Sequence, residues 1–391
     1  MKLSSILAGA IAAASTANAY PGLDDMLAKI SNVSPKQSTS LIGDLEHLPK
    51  NKLSKTGKAI HDILIGTSHG QDTWSRYYDA PPQDSPECAR DTCCIWKHIG
   101  EEMRTAMTGT AGRCNSIARG AIRLGFHDAG GYSKKTGPYG GADGSLVLAN
   151  ECETRIANRG LGEICAQMRI WHAKYQKYSI TMADLIQFGS NVGTVVCPLG
   201  PRVRSFIGRK DNHTAAPDGN LPKPRASADE IISMFADKSI SPQGIVALLG
   251  AHTTSQQRFV YPNRTGDPQD STPGVWDTRY FRETMESDPP KRVVKFTSDV
   301  NMANDPRTRN LFKYYGGMLG QFAWNEAYAR EYVRLSLLGV HNINQLTECT
   351  KALPDYMESF IQPDQHLLDD FLQGNRDYAA ASLRSGDVIP E

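Results

Sequence analysis

Apolar residues recur mainly at spacings of three and four along this chain, and two-residue alternation is sparse. That periodicity predicts a mainly α-helical fold. Short helical stretches are predicted around residues 23–30 and 58–65. Pro81, Pro82 and Pro86 then punctuate the chain. Residues 86–350 read as helices joined by loops. One helix is predicted from about 115 to 129, and it puts Arg123 and His127 one turn apart on one face. Another begins at Ser241-Pro242, a good N-cap followed by proline at the first helical position. Its apolar face carries Ile245, Leu248, Leu249 and His252. A third spans about 319–338, with Phe322, Ala329, Tyr332, Val333 and Leu337 on one stripe. Beyond Leu353 the chain reads as a tail, with Pro354 and Pro363, that wraps the core. There is no internal repeat.

The chain start changes the picture. Lys2, an apolar stretch over residues 3–14 and Ala17-Asn18-Ala19 have the layout of a secretory signal peptide, with cleavage expected after Ala19. No later stretch approaches the roughly 18 uninterrupted apolar residues of a membrane span. The expected organisation is a signal peptide (1–19), an N-terminal extension (20–85), a core (86–350) and a C-terminal tail (351–391). Eight cysteines suit an exported chain with four disulfides. Zinc is disfavoured because Cys93 and Cys94 are adjacent and no second CxxC-type pair follows. Sequons at Asn32, Asn212 and Asn263 fit a glycoprotein. Lys plus Arg is 43 against 42 Asp plus Glu, a formal charge of +1, without the basic excess of a nucleic-acid binder. No nucleic-acid or membrane partner is expected, and the chain is expected to act as a monomer.

Taken alone, His252 reads as a packed core residue and His127 as a helix-surface residue. Their surroundings change that reading. Arg123 stands one turn before His127, and Asp128 follows it. A glycine-rich loop, Gly140-Gly141-Ala142-Asp143-Gly144-Ser145, comes next. After His252 come Thr253 and then Asp270-Ser271-Thr272-Pro273-Gly274-Val275-Trp276-Asp277.

The string Ile122-Arg123-Leu124-Gly125-Phe126-His127-Asp128 resembles the distal helix of the secreted fungal class II haem peroxidases. Leu248-Leu249-Gly250-Ala251-His252-Thr253 resembles their proximal haem-ligand motif. The resemblance covers roughly residues 86–350, with Cys93-Cys94, Cys114 and Cys197-Pro198 in the family's order. It implies a helical fold with haem b held between distal and proximal halves. It assigns His252 to the haem iron, Phe126 to packing over the haem, and His127, Arg123, Asn158 and Asp299 to catalysis. A neutral imidazole can move a proton between peroxide oxygens, and a permanent cation can stabilise charge as the O–O bond breaks. Asn158 would orient His127, and Asp299 would strengthen His252 as a donor.

The resemblance also implies two calcium ions. The distal one maps onto Asp128, Gly141, Asp143 and Ser145, and the proximal one onto Thr253, Asp270, Thr272, Val275 and Asp277, all-oxygen sets suited to a hard cation. Implied disulfides are Cys88–Cys94, Cys93–Cys349 and Cys114–Cys197. Cys152 and Cys165 are left to pair locally, outside the usual family pattern, and Asn310 stands where a further family bridge would begin.

Departures from the family narrow the activity. Its manganese-binding carboxylates map onto Ser116, Gly120 and Arg258, and its surface-radical tryptophan onto Ala247. What is left is oxidation of small aromatic donors by hydrogen peroxide at the haem edge, beside residues 217–225, where Lys223 and Arg225 would favour anionic donors. Gln269 replaces an aromatic residue on the proximal side, where polarity alters the iron's potential in a direction the sequence does not give. Two other readings stand beside this one. One is a ligninolytic peroxidase with a non-standard surface radical site at another Trp or Tyr, such as Trp276 or Trp324. The other is a secreted, calcium-stabilised binding protein without catalysis.

Overall fold

The computed structural model describes residues 37–391, other than 136 and 138. The predicted signal peptide, the helix over 23–30 and the Asn32 sequon lie outside the described residues. The α-helices of seven or more residues are labelled in chain order: α1 (Lys55–Leu64), α2 (Cys94–Met107), α3 (Ser116–Gly130), α4 (Gly162–Tyr175), α5 (Met182–Val196), α6 (Ala228–Ala236), α7 (Pro242–Leu249), α8 (Arg279–Met285), α9 (Thr297–Asn304), α10 (Arg309–Tyr315), α11 (Gly320–Leu335), α12 (Gln365–Leu372) and α13 (Ala379–Ser385). Among the described residues the sheet content is one two-residue antiparallel pair, β1 (Phe206–Ile207) and β2 (Thr347–Glu348), with Phe206 opposite Glu348. The fold is mainly α, as the periodicity predicts.

Asn115 caps α3 by accepting from the amides of Ile117 and Ala118. The helix then lies against α5, whose fifteen residues are all buried. Two glycines let these helices approach. A β-carbon on Gly193 would sit 2.7 Å from the Ala118 carbonyl, and one on Gly125 would sit 2.6 Å from Ser190 Cβ. Cys114–Cys197 ties the start of α3 to the end of α5.

On the other side, Ser241 caps α7 and Pro242 occupies its first turn. The predicted helix through His252 is shorter than the periodicity implies. α7 ends at Leu249 and a 3₁₀ turn, Gly250–Thr254, carries His252. Trp324 of α11 explains the tightening. A β-carbon at Gly250 would fall 2.3 Å from its indole nitrogen, which donates to the Ala247 carbonyl at 2.9 Å. The stripe predicted for α11 also needs a correction. Ala329, Tyr332, Val333 and Leu337 are buried, but Phe322 is 76% exposed.

Cys88–Cys94, Cys93–Cys349, Cys114–Cys197 and Cys152–Cys165 are all formed. Gln37–Glu391 is one compact unit. Within it, α11 holds the N-terminal stretch through Arg334, which donates to the carbonyls of Ser38, Ser40 and Leu64. The C-terminal tail builds a second apolar cluster from Leu367, Leu368, Phe371, Leu372, Leu383 and Ile389. A buried bidentate pair between Arg113 and Asp364 anchors it, both bonds at 2.8 Å.

Candidate functional site

The structure brings Arg123, His127 and Asn158 together at the end of α3. His127 Nδ1 lies 2.9 Å from Asn158 Oδ1. Asn158 is buried, and its amide nitrogen donates to the Glu151 carbonyl at 3.0 Å. The asparagine oxygen therefore faces the ring, and Nδ1 must carry the proton. This leaves a lone pair on Nε2, toward which Arg123 Nε points at 3.2 Å. Arg123 also donates to the carbonyls of Arg159 at 3.0 Å and Ala157 at 3.2 Å. Its side chain is reached by solvent, yet protein encloses it on most sides. That enclosure lowers the guanidinium to about 10, still cationic at neutral pH. Burial, then the Arg123 charge, pushes His127 down to about 3, so the imidazole is neutral at physiological pH.

The second histidine is held in a parallel way. His252 Nδ1 lies 2.9 Å from Asp299 Oδ2 on α9, and Asp299 is buried. Tyr280 of α8 and Phe296 meet the His252 ring edge-on at 5.7 and 5.9 Å. The ring remains 35% exposed, and among the described residues its hydrogen bonds all run through Nδ1. Its Nε2 is open. Phe126, Leu248, Leu249, Ala251 and Phe296 are likewise half-buried, so apolar surface stays accessible beside both histidines. A flat apolar cofactor with an imidazole-binding iron fits these residues.

A family model described as peroxidase matches residues 100–317. The chain is 34% identical to manganese peroxidase 3 of Phlebia radiata over 265 residues, 62% of this chain and 71% of that protein. It is 32% identical to ligninase C of Trametes versicolor over 321 residues, 74% and 83% of the two chains. Versatile peroxidase VPS1 of Pleurotus eryngii is 30% identical over 287 residues, covering 68% and 76%. The chain belongs to the fungal class II haem peroxidases. It is therefore an oxidoreductase that acts on hydrogen peroxide.

Two acidic loops flank the histidines of this peroxidase. In the first, Asp128 is 2% exposed and accepts from the amides of Gly144 and Leu146 at 3.2 and 3.3 Å. Burial, then the Asp143 charge, drives its carboxyl well above the usual range. Ser145 is buried beside them, and Gly141 has φ of 123°, a conformation suited to glycine. In the second loop Asp270 is fully buried and accepts from Thr253 Oγ at 2.5 Å. Burial, then the charges of Asp277 and Glu283, raises it well above the usual range. Thr272 and Val275 are buried in the same turn. Carboxylates that raise one another's pKa in an all-oxygen pocket are the groups a hard divalent cation neutralises, so both sets fit calcium.

Cys88, Cys94 and His98 also cluster, but both sulfurs are in a disulfide and no thiolate is left to bind metal. Trp276 and Trp324 stack at 4.9 Å and are fully buried, so neither offers a surface radical site. Ala247 is buried as well. A cavity of about 640 Å³ lies beside residues 219–223; Lys135, Lys223 and Lys238 line it together with Asp229, Glu230 and Asp237. Leu221 on its wall reaches Gly130 of α3.

Sequence reasoning missed several residues. Phe259 carries Arg159 over its ring at 5.2 Å, beside the carbonyl that holds Arg123. Glu283 joins the second acidic loop and accepts from the Ser271 amide at 2.8 Å. Phe259 and Glu283 had no local spacing signal, because their contacts cross between elements. The Cys152–Cys165 bridge, expected as a local pair, is formed and brackets the stretch carrying Ala157, Asn158 and Arg159.

Proposed function

We propose that this peroxidase oxidises small aromatic donors at the open edge of a haem b ligated by His252, after His127 and Arg123 have activated hydrogen peroxide. The observation that carries the reading is the matched orientation of the two histidines. Each commits Nδ1 to a buried side-chain oxygen, Asn158 or Asp299, and leaves Nε2 for chemistry. Haem, when bound, supplies the redox-active iron at which peroxide is split.

His127 Nε2 accepts a proton from one peroxide oxygen and returns it to the other, which leaves as water. The neutral ring is the form able to do this. Arg123, fixed by two backbone carbonyls, stabilises the negative charge that grows on the departing oxygen. Asn158 fixes the tautomer. Asp299 holds the Nδ1 proton of His252, which would make Nε2 a stronger ligand for the haem iron. Phe126 stacks on Phe235 of α6 at 6.2 Å and would pack against the haem.

Asp128, Gly141, Asp143 and Ser145 would hold one calcium ion; Thr253, Asp270, Thr272, Val275 and Asp277 would hold the second. Each would fix the end of the element that carries a histidine. The manganese-binding positions are Ser116, Gly120 and Arg258, none of them a carboxylate, which argues against Mn(II) as donor. Buried Ala247, Trp276 and Trp324 argue against a surface-radical route. With both signs on the cavity wall near Lys223, charge gives donors no strong selection. Retention of Arg123, His127, Asn158, His252 and Asp299 argues against a binding protein without catalysis.

Secretion after cleavage at Ala19, a monomeric state and the division at residues 85 and 350 complete the proposal. Among the described residues no helix is long and apolar enough to cross a membrane. Asn263 is exposed and suits a glycan, whereas the Asn212 amide nitrogen donates to Asp143 at 3.0 Å. Steady-state turnover of the holoenzyme with a small phenol, Mn(II) and a bulky polymeric donor tests the donor class. Turnover of the phenol alone supports it, and turnover of Mn(II) or the polymer at a comparable rate contradicts it.

A further inference from the structure

Gln269 is 3% exposed, and its amide sits among three polar side chains beside His252. Its Nε2 lies 3.0 Å from Asp299 Oδ2 and 3.3 Å from His252 Nδ1. On its other side Ser255 Oγ donates to Oε1 at 2.6 Å. Chemistry fixes this orientation. An ionised carboxylate accepts only, so the NH₂ side must face Asp299, and the carbonyl is left for the serine hydroxyl. His252 has already directed its Nδ1 proton at Asp299 Oδ2, at 2.9 Å. The glutamine and histidine nitrogens are therefore neighbours competing for one oxygen. The other oxygen, Oδ1, accepts from Ser298 Oγ at 3.1 Å.

The backbone builds this arrangement. Residues 255–257 and 267–269 run antiparallel, with Gln256 bridged to Pro268 and the Gln257 amide donating to the Asp267 carbonyl at 2.9 Å. That pairing sets Ser255 against Gln269. Gln269 directly precedes Asp270, the central carboxylate of the second acidic loop, in the chain.

We propose that Gln269 is a positioning residue that limits how strongly Asp299 polarises His252. The proposal rests on the reading of His252 as the haem ligand. A carboxylate oxygen with a single donor concentrates its charge on that donor's proton. A second donor on the same oxygen shares the charge, so His252 keeps more of its Nδ1 proton and Nε2 becomes a weaker electron donor. An iron bound there is less stabilised in its oxidised form, and its Fe(III)/Fe(II) potential lies above the value the histidine–aspartate pair would set by itself. Ser255 locks the amide in the donating orientation.

The test uses the holoenzyme with Gln269→Met, which keeps length and volume but removes the donor. The readouts are the Fe(III)/Fe(II) midpoint potential and the Fe–His stretching frequency of the ferrous protein. The expected result is a negative shift in potential and a higher stretching frequency, with haem still bound. Ser255→Ala, which frees the amide to turn, should move both in the same direction by a smaller amount. In an Asp299→Asn background Gln269→Met should produce no further shift. Haem-bound Gln269→Met with unchanged or oppositely shifted readouts would overturn the inference while leaving the haem assignment standing. If Gln269→Met does not fold, unchanged readouts in Ser255→Ala overturn it equally. A wild-type chain that takes up no haem overturns this inference and the reading beneath it.

Discussion

Asn158 meets His127 at 2.9 Å, and because its own amide nitrogen is committed to the Glu151 carbonyl, it can serve the ring only as an acceptor. That contact decides which imidazole nitrogen holds a proton, and it turns an ordinary helix histidine into a base whose Nε2 keeps its lone pair, with the Arg123 Nε at 3.2 Å.

Replacing His127 with Leu should slow the reaction with peroxide by about 10²–10⁴-fold, the usual worth of a positioned general base. Asn158→Ala removes one oriented hydrogen bond of about 1–1.5 kcal/mol, so a loss of about tenfold is expected. Both variants should keep the haem Soret band. Stopped-flow mixing with peroxide measures the loss, and a wild-type rate in His127→Leu would exclude it as the base.

Cys152–Cys165 closes a short loop around Asn158 and the carbonyls that hold Arg123. A Cys152→Ser/Cys165→Ser double variant should lose about 3 kcal/mol from loop entropy. It should also react more slowly with peroxide, because the loop that orients His127 is loosened. Denaturant titration and stopped-flow rates read the two effects separately. A stability loss without a rate change would make the bridge purely structural.

Calcium removal should lower Tm and release two ions per chain. Asp128→Asn and Asp270→Asn should each retain one, since each breaks a different oxygen set. Elemental analysis after dialysis gives the count. Zero ions in the wild-type protein would refute both assignments.

Glu331 supplies a pH dependence. It is fully buried on α11, and a β-carbon at Gly244 of α7 would lie 2.5 Å from its carboxyl carbon. Burial raises it to about 7, against which Arg334 at 3.5 Å pulls downward. An acid raised on folding binds its proton more tightly in the native state. Its contribution is complete below the unfolded value of 4.5 and is lost as pH rises through about 7. Stability should therefore fall by on the order of 1–3 kcal/mol between pH 5 and 8. Glu331→Gln should flatten that dependence. Thermal melts across this range check it, and an equally steep curve in Glu331→Gln would rule Glu331 out as the cause.

The residues legible in the sequence are those whose roles follow from local spacing. Arg123 and His127 sit one turn apart on a helix whose cap, Asn115, is visible in the chain, and the Ser241-Pro242 start of α7 is equally plain. The shortening of α7 was not legible, because it depends on Trp324, which lies 75 residues away in a different helix. Phe322 misled the stripe on α11, since periodicity marks a face without saying where its burial ends. Gln269 was conspicuous in the sequence, but its effect depends on which way an amide faces, and Ser255 and Asp299 decide that only in three dimensions. Glu283 and Phe259 gave no signal because their partners come from other segments.

The most direct test of the central claim is the absorption spectrum of the purified protein before and after one equivalent of hydrogen peroxide. A ferric haem Soret band that weakens and shifts within the mixing time, then recovers on adding a small phenol, is the predicted result. Haem that is bound yet inert to peroxide would contradict the roles given to Arg123 and His127. A protein without a Soret band, even after reconstitution with haem and calcium, would contradict the assignment of His252.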